Sequence, residues 1–214
     1  MERSVAGRLA PELARRRQAA MAGHQDDPER ARSLLTDPDA GVRIAALGAL
    51  DRLDQLTVPE LEAGLNDTMP TVRRRACEIA ATWPGGPATV SLLPRLDDPD
   101  PIVVEVAAWA SGERIPAEPN VVTRLIELAG NHEDALCREA AVAALGAIGD
   151  DCGLPAILAA THDKATVRRR AIIALAPFDG PEVDAALEAA RTDRDWQVRQ
   201  AAEDLLADDS LADD

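Results

Sequence analysis

Apolar and polar positions along this chain recur with a period of about thirty residues. The clearest copy runs from Asp37 to Leu50 and has Val42 near its start. The equivalents of Val42 are Val72, Val103, Cys137, Val167 and Val198, in steps of 30, 31, 34, 30 and 31 residues. A repeat of this length is typical of proteins built by stacking one small unit on the next.

Each copy predicts an amphipathic helix, here called helix B. Apolar residues stand at the valine position and four, seven and eight residues after it, which places them on one helical face. The residue at +4 is small in every copy, which lets a neighbouring helix approach closely: Ala46, Ala76, Ala107, Ala141, Ala171 and Ala202. Five residues before the valine, Asp37, Asp67, Asp98 and Asp193 are expected to cap the helix. Pro38 and Pro99 would then be first helical residues.

Shorter apolar segments lie between the B helices and predict a second helix, helix A, in each repeat. They span 31–35, 58–65, 90–96, 121–128, 154–160 and 183–190. The third repeat departs most, because Val104 replaces the arginine found after the valine elsewhere and Pro94 lies within its helix A. A single pair of helices cannot bury its apolar stripe alone, so the sequence predicts an all-α stack of six hairpins.

The pattern D-P-x-x-x-V-R-x-A-A-x-x-A-L-G resembles the HEAT-like repeat of phycobilin lyase subunits and many bacterial solenoid proteins. The resemblance covers residues 27–208. It implies a right-handed α-solenoid whose B helices line a concave groove. We expect residues 1–24 to form a capping helix, interrupted by Pro11, ahead of a solenoid at 25–208 and an acidic tail at 209–214.

Charge and cysteine content narrow the classes of function. The formal net charge is −15, which disfavours nucleic acid and anionic membranes as general partners. The basic run Arg15-Arg16-Arg17 belongs either to the cap or to a site for an acidic partner or membrane surface. Cys77 and Cys137 stand at helix-B positions and are expected in the core. The sequence has neither a secretory signal nor a membrane-spanning run, so it predicts a cytoplasmic protein. We expect this protein to be monomeric or weakly dimeric.

Arginines follow the repeat valine at regular intervals. We expect Arg43, Arg73, Arg138, Arg168 and Arg199 to pair with the aspartate of their own or the next repeat, rather than to bind phosphate. Two further arginines follow in the second and fifth repeats. These extra arginines either hold phosphates or an acidic peptide, or pair with local acids such as Glu78 and Asp163.

Positions +2 and +6 of the B helices would face the groove. The candidate partner-binding residues there are Arg74, Glu78, Glu105, Trp109, Glu139 and Arg169. Trp109 either anchors a partner or fills space left by the irregular third repeat. Trp83 is expected to pack against the turn that follows it, and Trp196 to cover the end of the core.

No catalytic motif accompanies these repeats. Phosphate loops, dinucleotide fingerprints and nucleophile elbows do not occur, and His132 and His162 lie about one repeat apart, too far to share a metal. We therefore predict a scaffold that binds a protein or peptide and needs no metal or cofactor, with enzymatic activity left open. Two alternatives are a nucleic-acid-binding solenoid and, as the resemblance implies, an accessory to chromophore attachment.

Overall fold

A computed structural model describes the backbone of residues 6–212 and the side chains of residues 11–207. All regular structure in this part of the chain is helical, as the sequence predicts. The chain divides after Trp83 into two compact units.

The described part of the first unit, residues 6–83, contains five helices. They are α1 (Ala6–Ala22), α2 (Pro28–Arg32), α3 (Ala40–Arg52), α4 (Val58–Leu65) and α5 (Pro70–Ala80). The pairs α2–α3 and α4–α5 are the first two hairpins, and α1 packs on α3, where Ala19, Val42 and Ala46 form a small core. The expected break at Pro11 is wrong, because α1 continues through this exposed residue.

The second unit continues the alternation. Its helices are α6 (Pro101–Gly112), α7 (Pro119–Asn131), α8 (Ala135–Ile148), α9 (Leu154–Ala160), α10 (Ala165–Ala174), α11 (Pro181–Ala190) and α12 (Trp196–Ala212). The B helices α6, α8, α10 and α12 pack one on the next, and α7, α9 and α11 are the A helices. Helix α12 extends past residue 208, while residues 213–214 of the expected tail lie outside the described chain.

The third repeat is as irregular as its sequence suggests. Where helix A was expected over residues 90–96, the chain forms only a short 3-10 turn, Leu93–Arg95, and another such turn, Gly86–Ala88, precedes it. Pro94 lies in the turn Leu93–Arg95, since it cannot donate the hydrogen bond that a longer helix would require. Arg114 is buried nearby and donates from Nη2 to the carbonyl oxygen of Val90.

Small residues set the spacing of the B helices. The six alanines at +4 are all 0% exposed. A Cβ built on Gly112 of α6 would lie 2.9 Å from the Cα of Ala144 in α8. A Cβ on Gly146 of α8 would lie 2.7 Å from the Cα of Ala174 in α10. These helices therefore pack backbone against backbone, which only glycine and alanine permit.

The repeat aspartates have a different role from the one expected. The N-caps stand two residues later in the first and third repeats, where Asp39 and Asp100 accept from first-turn amides. Asp37 instead accepts from the amide of Asp39 at 2.9 Å and so shapes the turn before the helix. Pro38 and Pro99 therefore precede their helices, and their expected place as first helical residues is wrong.

The aspartates of these turns are the partners of the repeat arginines. Arg43 donates through Nε and Nη2 to Asp67 of the next repeat at 2.8 and 2.7 Å. Arg168 does the same to Asp193 at 2.9 and 2.8 Å. The remaining nitrogen, Nη1, binds the arginine's own turn through a backbone carbonyl. The structural interpretation of the arginine ladder is thus confirmed for these repeats.

The ladder also extends into the basic run of α1. Arg15 donates through Nε and Nη2 to the two carboxylate oxygens of Asp37, at 2.7 and 3.3 Å. It therefore has the same role toward the first repeat as each repeat arginine has toward the next repeat. This contact attaches α1 to the first repeat, and a capping function for this helix stays a prediction.

Candidate functional site

Large apolar side chains are exposed on every B helix of the second unit. Trp109, Leu136, Ile173 and Trp196 belong to α6, α8, α10 and α12 and are 44%, 55%, 37% and 63% exposed. None of them is needed to fill the core, which consists mainly of alanine, leucine and valine. A row of exposed apolar side chains commonly marks a binding surface. We call this surface the B face.

The first of two cavities on the B face opens between α6 and α8. It has a volume of about 630 Å³, and Trp109 and Leu136 stand at its sides. Its remaining lining is small or acidic, with one arginine: Glu105, Val106, Gly112, Glu113, Glu139, Ala140, Ala143, Ala144, Ala147 and Arg170. Because the residues on α8 are mostly alanines, space is left over them beside the indole.

Carboxylates dominate the charge of this first cavity. Glu105 and Glu113 form no ion pair with any side chain in residues 11–207, and Glu139 meets Arg170 at 3.7 Å. Burial, reinforced by the carboxylates of Asp134 and Glu105, raises the pKa of the Cys137 thiol to about 11. Cys137 is therefore an uncharged core residue, as expected, and it lies under a locally negative surface.

The second cavity opens between α10 and α12 and has a volume of about 460 Å³. Trp196 and Ile173 supply its apolar surface, and Arg169 and Asp204 its charges. The expectation that Trp196 covers the end of the core is wrong, since the side chain is 63% exposed. It lies one helical turn before Gln200 and two turns before Asp204, and all three line this cavity.

The structure brings together some of the residues predicted for partner binding. Glu105, Trp109 and Glu139 line the first cavity, and Arg169 lines the second. Arg74 and Glu78 belong to the first unit, where they form an ion pair at 3.2 Å.

Sequence reasoning missed Leu136 and Trp196 as members of the B face, and it placed Ile173 toward the groove without naming it as a binding candidate. Leu136 and Trp196 precede the repeat valine positions and occupy the first turn of their helices, one turn before the +2 position. Extending the search by one turn toward the helix N-terminus would have found both. Ile173 was already at +6, but a β-branched aliphatic residue carries no signal that separates exposure from burial.

The extra arginines of the second and fifth repeats mostly pair with local acids. Arg75 meets Glu78 at 3.1 Å and Asp51 at 3.6 Å. Arg170 meets Glu139. Local pairing therefore accounts for these arginines better than a dedicated phosphate site does.

The described residues contain neither a metal-binding cluster nor a membrane-spanning helix. Within residues 6–212, no group of three or more His, Cys, Asp or Glu side chains is arranged to hold a metal ion. None of the helices in that range has the length and apolar character needed to cross a bilayer.

Comparison with known proteins identifies the repeat. A designed armadillo repeat protein in complex with the peptide (KR)4 matches 91% of this chain and 97% of its own, with 17% identity and a TM-score of 0.54. Human deoxyhypusine hydroxylase in complex with glycerol matches 91% of this chain and 78% of its own, with 20% identity and a TM-score of 0.49. The similarity to the armadillo repeat protein shows the fold alone.

No curated protein is significantly similar to the chain in sequence. The sequence model of HEAT repeats, in contrast, matches residues 28–112, 89–166 and 125–207. Those three matches together span all the repeats recognised from the spacing of Val42 and its equivalents. The chain therefore belongs to the HEAT repeat family.

Proposed function

We propose that this protein is a non-catalytic interaction scaffold that binds a peptide segment of a partner protein on the B face of its second unit. The observation that carries the proposal is the pair of cavities, each with an exposed tryptophan at its side. Tryptophan is enriched among the residues that dominate binding energy, because it buries a large rigid surface when a partner covers it.

The energetics favour binding at these positions. Full burial of a large apolar side chain contributes about 1.5–3 kcal/mol, so covering Trp109 and Trp196 would supply a useful share of the affinity for a peptide. The B helices that present them are held by close backbone packing and by arginine–aspartate pairs. The face is thus formed before binding, which lowers the entropic cost of association.

The repeat fold supports the same function. Stacked repeats create extended surfaces suited to elongated partners. The designed armadillo protein shows that a stack of similar length can hold a short peptide.

The other predictions remain open. Binding through Arg74 and Glu78, a monomeric or weakly dimeric state, a cytoplasmic location and the phycobilin lyase type of repeat are still predictions. The second unit has 25 acidic residues against 11 basic ones, and this excess counts against nucleic acid as a partner.

Selection from a phage-displayed library of random dodecapeptides would test the scaffold function. Wild-type protein should enrich specific peptides, and the double variant Trp109→Ala/Trp196→Ala should lose them. Ile102→Ala is the matched control, because Ile102 is also apolar, exposed and on α6 but does not line either cavity. Equal enrichment by the wild type and the double variant would refute a role for the B face.

A further inference from the structure

The chemistry of the first cavity identifies the kind of side chain that it would take. We infer that this cavity binds a lysine or arginine side chain of the partner segment, with the cation held between the indole of Trp109 and the surrounding glutamates. This inference rests on the proposed scaffold function and adds the chemical class of the partner.

The carboxylates around the first cavity are not neutralised by nearby positive charge. Glu105, Glu113 and Glu139 face one arginine, Arg170, whose contact with Glu139 is long at 3.7 Å. Elsewhere the acids of the repeats are held closely, as in the 2.8 Å contact of Arg168 with Asp193. A partner's cation would therefore find carboxylates here that are not already neutralised.

The indole supplies the second part of the recognition. Trp109 is 44% exposed and lines the same cavity as the three glutamates. A cation placed over an indole face is attracted by the ring electrons, and this attraction is stronger for tryptophan than for other aromatic residues. An uncharged apolar partner residue would cover the indole equally well but would leave the glutamates partly desolvated and unpaired.

The floor of the cavity fits the long stem of such a side chain. Gly112, Ala140, Ala143, Ala144 and Ala147 give a surface of backbone and methyl groups. Lysine and arginine carry three or four methylene groups that pack on apolar surfaces while the charged end reaches polar groups.

The charge of the whole second unit points to the same occupant. Its 25 acidic and 11 basic residues contrast with 13 and 12 in the first unit. A negative unit attracts a cationic segment from a distance and accelerates the encounter. The second cavity has one arginine, Arg169, and one aspartate, Asp204, and therefore gives no such preference for charge.

Binding of a fluorescein-labelled octapeptide of alternating arginine and serine tests the inference by anisotropy. The matched neutral peptide carries citrulline, an uncharged analogue of arginine, at the same positions. We expect the arginine peptide to bind and the citrulline peptide to bind at least about tenfold more weakly, with Trp109→Ala reducing arginine-peptide affinity by about tenfold. The double variant Glu105→Gln/Glu139→Gln should remove most of the preference for arginine.

The control variant Glu182→Gln/Asp184→Asn removes the same charge from exposed positions on α11, outside the first cavity. It should keep the preference. Equal affinity for both peptides, or the same loss in the control and in the glutamate variant, would overturn the inference. If the phage library instead enriches uncharged peptides that require Trp109, the scaffold function stands and the cationic occupant is wrong.

Discussion

Arg138 of one repeat donates two hydrogen bonds to the carboxylate of Asp163 in the next repeat, from Nε at 2.6 Å and from Nη2 at 2.8 Å. Its third nitrogen, Nη1, donates to the carbonyl oxygen of His132 at the start of its own repeat. One side chain thus joins two consecutive turns, and the same arrangement recurs at Arg43 and Arg168. These hydrogen bonds stabilise the positions of neighbouring B helices relative to each other.

Removing the Arg138 contact should destabilise the second unit. We expect Arg138→Ala to lower the free energy of unfolding by about 1–3 kcal/mol, because hydrogen bonds to charged groups are lost and Asp163 is left partly buried. Arg191→Ala is the control, since Arg191 and Glu188 form an ion pair with both side chains mostly exposed. Urea unfolding should show no measurable change for the control, and equal stability of both variants would argue against a structural ladder.

The same contacts predict how stability depends on pH. Hydrogen bonds from Arg138 and Arg168 lower the pKa of Asp163 and Asp193 below the ordinary value of 3.8. A carboxylate with a lowered folded-state pKa stabilises the fold above 3.8, and this contribution is lost as the pH falls through the lower value. The urea midpoint should therefore fall steeply below about pH 4, and less steeply in Asp163→Asn. An unchanged slope in that variant would contradict the assignment.

Two glycines offer a matched test of helix spacing. A Cβ at Gly146 would meet the backbone of Ala174, whereas a Cβ at Gly130, near the end of α7, would meet nothing within 4 Å. Gly146→Ala should destabilise the unit by about 1–3 kcal/mol through overpacking. Gly130→Ala should be neutral or stabilise by up to about 1 kcal/mol, because alanine favours helix. Thermal unfolding checks this: equal melting temperatures for the two variants would show that the close approach of α8 and α10 at Gly146 is unimportant.

Residues exposed on the B face should contribute to binding but little to the stability of the fold. Trp196 is 63% exposed, so Trp196→Ala should change the free energy of unfolding by no more than about 0.5 kcal/mol. Leu145 of α8 is 1% exposed, so Leu145→Ala should lower the free energy of unfolding by about 2–5 kcal/mol. Chemical denaturation of the two variants checks this, and a large loss in Trp196→Ala would show that the indole supports the fold.

The repeat pattern was sufficient to predict the helical architecture, because each B helix repeats the same apolar face around a buried residue such as Val42 or Val167. Cap positions were misplaced by two residues. Asp37 and Asp39 can each accept from a backbone amide, and only the geometry decides which one begins the helix.

The candidate site was harder to predict than the fold. The sequence indicates Trp109 because its +6 position lies outside the regular core positions, and Glu105 and Glu139 belong to the same face. The expectation for Trp196 is wrong, because the sequence does not tell whether a first-turn tryptophan packs onto the core or points away from it. The cavity depends on alanines such as Ala140 and Ala143, whose small size is evident in the sequence but whose neighbours are not.

Close packing at Gly112 and Gly146 also limits how far apart in a partner's sequence the two residues that fill the two cavities can lie. Helices packed about 8–10 Å apart place the two cavities about 16–20 Å from each other, because they are separated by two helix layers. An extended segment covers that distance in about five or six residues. A helical segment would need about 11–13 residues. The distance between two anchoring residues in a binding sequence would therefore reveal its conformation before any complex is solved.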